Sequence, residues 1–394
     1  MKIYRKCPVC QNGDDIELLY KQEFLIPEDY EGLPEIYYIS ECSCCGFIYA
    51  NINASQTAYN RFYERNSKYE NTDLPSSTGG ISESDLARFE IAFNEFKIFI
   101  RLDSQILDLG CANGGFLHVL KTKGFCNVAG LDMSKQCVAN VKALGIECCK
   151  GGLFDFPENF INRFDLIILS HVLEHIYDIE IAMQNISHML KDNGMVYIEV
   201  PDASRYHDFY IKPFYYFDLE HINHFDKQAL TNLAGSFGFE TVFACNKDVQ
   251  ASKKYKYPTV SVLLKKRSGM AAVLEKKCNE GIRKYISISH KHDVRLRETL
   301  NELIVSQEPV IIWGIGAWTL NIFKKGLLEC NLAAIVDSDV KKRGMMINGL
   351  KVQGPSIIHN FKATILILPA LFEDEITKQI IEMDTENQIK SIYK

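Results

Sequence analysis

Cys7-Pro8-Val9-Cys10 and Cys42-Ser43-Cys44-Cys45 form two Cys-x-x-Cys knuckles. Each presents two thiolates from one tight turn, and together they supply the four soft ligands that tetrahedral zinc prefers. Only Cys42 and Cys45 repeat the spacing of Cys7 and Cys10, with Cys44 between them as a substitute ligand. Four thiolates leave no open coordination position, so such a zinc is structural; a redox pair and four free thiols are the competing readings. A second group is acidic. Asp108 and Asp132 end two apolar runs, the first just before a small-residue turn, Gly110-Cys111-Ala112-Asn113-Gly114-Gly115. A carboxylate at Asp108 suits a cationic amino group, and one at Asp132 suits a pair of ribose hydroxyls. The third group mixes acids and histidines, in His171-Val172-Leu173-Glu174-His175-Ile176 and in Phe217-Asp218-Leu219-Glu220-His221-Ile222-Asn223-His224-Phe225. Histidine exchanges protons near neutral pH, and an adjacent carboxylate orients it. The plain alternative is packing: Glu174 and His175 capping a short helix, and buried histidines shaping a lid.

Strands and helices must hold these groups in place. The apolar and helical spacing predicts a strand at 106–109, a helix at 115–123, a strand at 127–131, a helix at 135–144 and a strand at 146–149. That alternation belongs to a parallel sheet covered by helices. Small residues in the first turn let a ligand approach the backbone, and the helix that follows offers unpaired N–H groups. Ala112 departs from many such loops, which carry a second glycine there. Phe164 to Ser170 reads as a buried fourth strand, so the histidine loop after it faces the pocket outside the carboxyl ends of the strands. Met195 to Val200 is the fifth strand, and 241–246 and 258–265 close the sheet as its sixth and seventh members.

Upstream, Ile16 to Leu19 and Ile36 to Ile39 are strand-like and fit a zinc-ribbon-like module between the knuckles. Tyr59, Phe62, Tyr63 and Tyr69 lie on a helical segment and read as packing, 71–80 reads as a loop, and a helix carries Leu86, Phe89, Phe93, Phe96 and Phe99 on one face. A basic, helical connector spans about 267–305. After Pro309 the pattern restarts with Val310-Ile311-Ile312-Trp313-Gly314-Ile315-Gly316, a helix, and a strand ending at Asp337. This is a second Rossmann-type half. Thr319 stands where a dinucleotide loop has its third glycine, so packing and help in holding a nucleotide-linked ligand are favoured over an NAD site.

The segment "LDLGCANGG" resembles the first motif of class I S-adenosylmethionine-dependent methyltransferases, and "HVLEHI" is similar to their motif after the fourth strand. The order of knuckles, sheet, Glu-His insertion and small Rossmann-like tail resembles the zinc-containing sugar C-methyltransferase family over nearly the whole chain. The resemblance implies an α/β, Rossmann-like seven-stranded sheet with an N-terminal zinc-ribbon-like module and a C-terminal Rossmann-type half domain. It implies cofactor contacts from Asp108, Gly110, Ala112, Gly114, Asp132, Met133, Leu153, Phe154 and Ser170, and zinc on Cys7, Cys10, Cys42 and Cys45. Glu220-His221 matches the family's active-site pair, which makes His221 the expected general base, Glu220 its orienting group, and His175 and His224 its neighbours. Asp218 stands where the family has a tyrosine. The implied reaction is methyl transfer from S-adenosylmethionine to a nucleotide-linked keto sugar, at carbon. O- or N-methylation of a small molecule, and a non-catalytic zinc and Rossmann scaffold, are the other readings.

Composition agrees with a multi-domain globular enzyme. The chain has 394 residues, 47% of them hydrophobic and 24% charged, and its spacing suggests modules at 1–60, 61–267, 268–305 and 306–394. A net charge of −6 gives no reason to expect a nucleic-acid partner. No apolar run approaches the roughly 20 residues that cross a bilayer, and the first residues lack a signal-peptide core. Thirteen cysteines, an odd number spread along the chain, point to reduced thiols with a metal site and hence to the cytoplasm.

Overall fold

The computed structural model describes residues 2–66, 79–250, 254–267, 274–276 and 278–392. Tyr69, residues 71–78 of the expected loop, and residues 268–273 and 277 of the expected connector lie outside the described residues. The chain forms two compact units from interleaved segments: one from Met1–Leu18, Ser40–Arg205 and Glu220–Asn279, the other from Leu19–Ile39, Tyr206–Leu219 and Glu280–Lys394. The aromatic insertion therefore divides, with Glu220 to Phe225 belonging to the first unit.

The first unit is built on a seven-stranded mixed sheet: β1 (Ile106–Leu109), β2 (Val128–Asp132), β3 (Glu147–Lys150), β4 (Phe164–Ser170), β5 (Leu190–Pro201), β6 (Phe239–Gln250) and β7 (Lys256–Lys266). Their order across the sheet is β6-β7-β5-β4-β1-β2-β3. The first five run parallel, with Asp108 opposite both Gly130 and Ile168, while β7 is antiparallel to β5 and to β6. The chain leaves β1 to one side and returns through β4 on the other. That reversal opens a crevice beyond the carboxyl end of β1, where ligands of such sheets bind.

Both faces of the sheet are covered, which is why β1 is buried at all four of its positions. On one face α1 (Glu83–Phe96), α2 (Gly115–Thr122) and α3 (Lys135–Ala143) bury Phe89, Phe93, Phe96, Phe116, Leu120 and Val141. On the other, α4 (Ile179–Met189) and α5 (Lys227–Ser236) bury Ile179, Met183, Ile186, Leu230 and Leu233 in a core shared with Cys7, Cys42 and Cys45. Local chemistry starts the helices. Ser82, Ser134 and Asp226 accept from the N–H three residues on at the heads of α1, α3 and α5. The strand Ile48–Asn51 pairs antiparallel with Asn223–His224, which ties the cysteine module to the end of the insertion.

The second unit contains a long helix, Glu280–Ser306, and a six-stranded sheet of β8 (Val310–Trp313), β9 (Leu332–Val336), β10 (Met346–Ile347), β11 (Leu350–Gln353), β12 (Thr364–Ile367) and β13 (Gln388–Lys390). Its order is β10-β11-β9-β8-β12-β13, with β8 parallel to both neighbours. The alternation read from the sequence after Pro309 thus builds a sheet of its own.

Candidate functional site

The turn after β1 takes its shape from left-handed residues. Gly110, Ala112 and Gly114 have φ of 74°, 45° and 79°. Ala112 adopts the conformation a glycine would favour, at a cost of roughly 1–2 kcal/mol. A side chain on Gly110 would come within 2.8 Å of Val172 Cγ2, so the glycine turn and the histidine loop pack directly together. The first N–H of α2 is already used: Gly115 donates to the Gly79 carbonyl at 2.9 Å. One of the N–H groups expected at the helix start is therefore satisfied within the chain.

Asp132 closes the turn from the next strand. One carboxylate oxygen accepts from the Ala112 N–H at 2.9 Å and the other from the Ser134 N–H at 2.8 Å. These bonds hold the carboxylate across the glycine turn. Asp108 is 4% exposed. Burial, and then the nearby charge of Asp132, push its carboxyl up to about 7, with Arg88 of α1 acting the other way. Two acids at the mouth of one crevice create a place for a cation, which is the chemistry an ammonium-bearing nucleoside satisfies. Met133 lies against Gly152, and the turn from Gly152 to Asp155 closes with a pair of backbone bonds. Leu153 is buried in the main core, while Phe154 is half-buried at its edge.

The histidines gather past the ends of β4 and β5. His171 has φ of 56° and turns its ring back into the site. Its Nδ1 stands 3.2 Å from Glu174 Oε1, and its Nε2 stands 2.9 Å from the Tyr257 hydroxyl and 3.3 Å from Glu199 Oε1. Burial lowers the His171 proton affinity, but the bonds to Glu174 and Glu199 outweigh it and the shift is upward. Glu199, fully buried, also pairs with Lys247 at 2.6 Å and accepts from Ser170 at 3.4 Å; Lys247 bridges on to Glu95 at 2.8 Å. Burial opposes ionisation of Glu199, yet His171 and Lys247 hold its carboxyl well below the usual range.

His175 and His221 come together from separate loops, with ring centroids 4.9 Å apart. His175 Nδ1 lies 3.0 Å from the backbone carbonyl of Glu220. A carbonyl only accepts, so Nδ1 carries the proton and Nε2 is left as the acceptor in the neutral ring. Tyr63 packs edge-on against His175 at 5.5 Å. His224 is fully buried in its short strand against Ile48, three residues after His221 in the same insertion. Sequence reasoning placed His171 in the pocket loop without giving it a role, read Tyr63 as packing, and missed Glu199, Lys247, Tyr257 and Arg88. The available signal was an ionisable residue inside an otherwise apolar strand, as Glu199 is in Val196-Tyr197-Ile198-Glu199-Val200.

The loop carrying His175 is held by the N-terminal module. Arg5, buried, donates to the carbonyls of Ile176 (3.0 Å) and Tyr177, and Asn223 Nδ2 donates to Ile176 O at 2.7 Å. Beside Arg5, the four knuckle thiols converge. Cys7 and Cys45 Sγ are 3.6 Å apart, as are Cys10 and Cys42, and all four lie within 4.8 Å of one another. Metal–sulfur bonds of about 2.3 Å in a tetrahedron place sulfurs near 3.8 Å apart, so this donor set fits a zinc ion. Cys44 is exposed and stands outside the group.

In the second unit the glycine turn serves packing. A side chain on Gly314 would fall 2.1 Å from Pro369 Cγ. Asp337 accepts from the N–H groups of Ile315 and Asp339, as Asp132 does from those of Ala112 and Ser134, and it also pairs with Lys342.

Residues 63–243 match a family model described as a methyltransferase domain, and residues 306–390 match one described as "C2185-like, N-terminal". The first stretch is a class I S-adenosylmethionine-dependent methyltransferase domain. Its mixed sheet of seven strands is the methyltransferase fold. Among curated relatives, the ubiquinone biosynthesis O-methyltransferase of Neisseria meningitidis serogroup C is 26% identical over 102 residues, 24% of this chain and 42% of that protein. The Pelagibacter ubique protein of the same name is 31% identical over 101 residues, 24% of this chain and 40% of that one. The match therefore spans less than half the length of these relatives. Among solved structures, the Burkholderia thailandensis 1,6-didemethyltoxoflavin-N1-methyltransferase aligns over 58% of this chain and 99% of its own, at 14% identity and a TM-score of 0.43. Among the described residues, no helix is long and apolar enough to cross a membrane.

Proposed function

We propose that the protein transfers a methyl group from S-adenosylmethionine to a carbon beside the carbonyl of a nucleotide-linked keto sugar, with a histidine as general base. The observation that carries the reading is the meeting of His175 and His221, backed by buried Glu174, at the strand ends that also present Asp108 and Asp132. Bound cofactor supplies an electrophilic sulfonium methyl. Asp108 takes its ammonium, Asp132 its ribose hydroxyls, and Arg88 its carboxylate, while Gly110, Ala112, Gly114, Met133, Leu153, Phe154 and Ser170 shape the rest of the pocket. His221 removes the acceptor's proton, and the C–H electron pair becomes the enolate that attacks the methyl. Cys7, Cys10, Cys42 and Cys45 hold a structural zinc that keeps Arg5, and through it the His175 loop, in place.

Incubation of purified protein with labelled cofactor and a nucleotide-sugar extract tests this. The expected product carries the label on carbon. General base catalysis contributes about 10²–10⁴-fold, so His221→Asn should lose that much rate while cofactor binding persists. Full methylation by His221→Asn would end that assignment. A label on oxygen or nitrogen would select the second reading, which the name of the curated relatives favours. Failure to bind S-adenosylmethionine in calorimetry would favour a non-catalytic scaffold.

A further inference from the structure

Glu174 has a backbone role that its side chain does not share. Its carbonyl accepts from the Ile222 N–H at 3.1 Å and from Asn223 Nδ2 at 3.3 Å, which fastens the two histidine loops together. Its carboxylate, 2% exposed, does something else. Oε1 stands 3.2 Å from His171 Nδ1 and 3.8 Å from His175 Nε2, and Oε2 accepts no hydrogen bond among the described residues. A residue needed only for packing would not bury a charge this way, because an incompletely paired buried carboxylate is costly.

Glu95 and Glu199 share Lys247, whereas Glu174 faces only the imidazoles of His171 and His175. Among the described residues Glu174 has no lysine or arginine partner, so a full positive charge is missing beside it while those rings are neutral. Protonation of the neighbouring histidine pair would supply it.

Resting on the histidine-base reading above, we propose that Glu174 is the positioning carboxylate of the pair, stabilising the imidazolium that forms when the acceptor's proton is taken. The role suggested for Glu220 from sequence is thereby divided. Glu220 fixes the tautomer of His175 through its backbone carbonyl, and Glu174 supplies the charge. Proton transfer leaves its electron pair on the acceptor and a positive charge on His221, and the ligand atoms of Glu174, His175 and His221 lie within 4.8 Å of one another, so that charge forms beside a carboxylate already in place.

Histidine NMR titration of the full chain bound to S-adenosylhomocysteine tests this without a sugar substrate. In Glu174→Gln the His175 imidazole should titrate lower by about one pH unit or more, the effect of removing a nearby opposite charge. Glu174→Asp should recover most of that shift, and Glu220→Gln should leave the titration in place. Calorimetry with S-adenosylhomocysteine confirms that each variant retains its fold; if the Gln variant does not, the Asp variant, whose shorter side chain draws the charge back, should still show a smaller downward shift, and its absence would overturn the proposal. An unmoved titration in Glu174→Gln, or an equal shift in Glu220→Gln, would overturn the proposal. So would a second divalent metal per chain, bound by wild type and lost in Glu174→Gln, since the trio would then be ligands. If wild type methylates no keto sugar while the titration shifts as expected, the substrate reading fails and the charge relation stands.

Discussion

Cofactor binding should be coupled to a proton, because Asp108 is buried and its carboxyl is pushed up to about 7 by that burial and by Asp132. A cationic amino acid moiety favours the ionised form, so binding must expel whatever proton Asp108 still holds. Below pH 7 the cofactor's own amino group, with a pKa of about 7.7–8.0, remains a cation and adds no slope. With Asp108 titrating at about 7, affinity for S-adenosylhomocysteine should weaken about fivefold from pH 7 to pH 6, and binding at pH 6 should release about nine-tenths of a proton. Calorimetry in buffers of different ionisation enthalpy reads both quantities. Asp108→Asn should bind more weakly and lose the pH dependence. Stability of the free protein should run the other way. The folded-state value lies above the unfolded one of 3.8, so stabilisation is present below pH 4 and is lost as pH rises through about 7, to an extent of roughly 4 kcal/mol. A flat affinity profile with no buffer dependence would refute the placing of Asp108 against the ammonium.

Other outcomes follow from the same geometry. Asp132→Ala removes hydrogen bonds of about 1.5–3 kcal/mol each to a charged acceptor, so calorimetry should find cofactor binding at least tenfold weaker, with unchanged affinity placing the ribose elsewhere. Metal analysis should find about one zinc per chain, and Cys10→Ser should lower the unfolding midpoint before it alters cofactor affinity. Ala112→Gly relieves a left-handed alanine at φ 45° but loosens the unfolded chain, so denaturant unfolding should shift by no more than about 1 kcal/mol.

Periodicity and turn chemistry made the sheet legible. The run Ile106 to Leu109 is buried on both faces, Ser134 and Asp226 cap the helices they precede, and the alternation fixes which residues stand at strand ends. Spacing likewise made the cysteine knuckles legible, because a Cys-x-x-Cys turn is a local object. Asp108 and Asp132 were readable for the same reason, each being the last polar residue of an apolar strand.

Tertiary structure alone decided what surrounds those positions. The antiparallel β7 enters between β5 and β6, and only that insertion brings Tyr257 and Lys247 to His171 and Glu199. Nothing local distinguishes Tyr63 from Tyr59, yet Tyr63 meets His175 while Tyr59 stacks on Tyr177. The adjacent pair Glu220-His221 was visible along the chain, but the carboxylate beside His175 comes from Glu174, on the loop after β4, and only the fold brings the two loops together. Backbone and side-chain bonds from Ile222 and Asn223 to that loop set which groups meet, and no spacing along the chain encodes them.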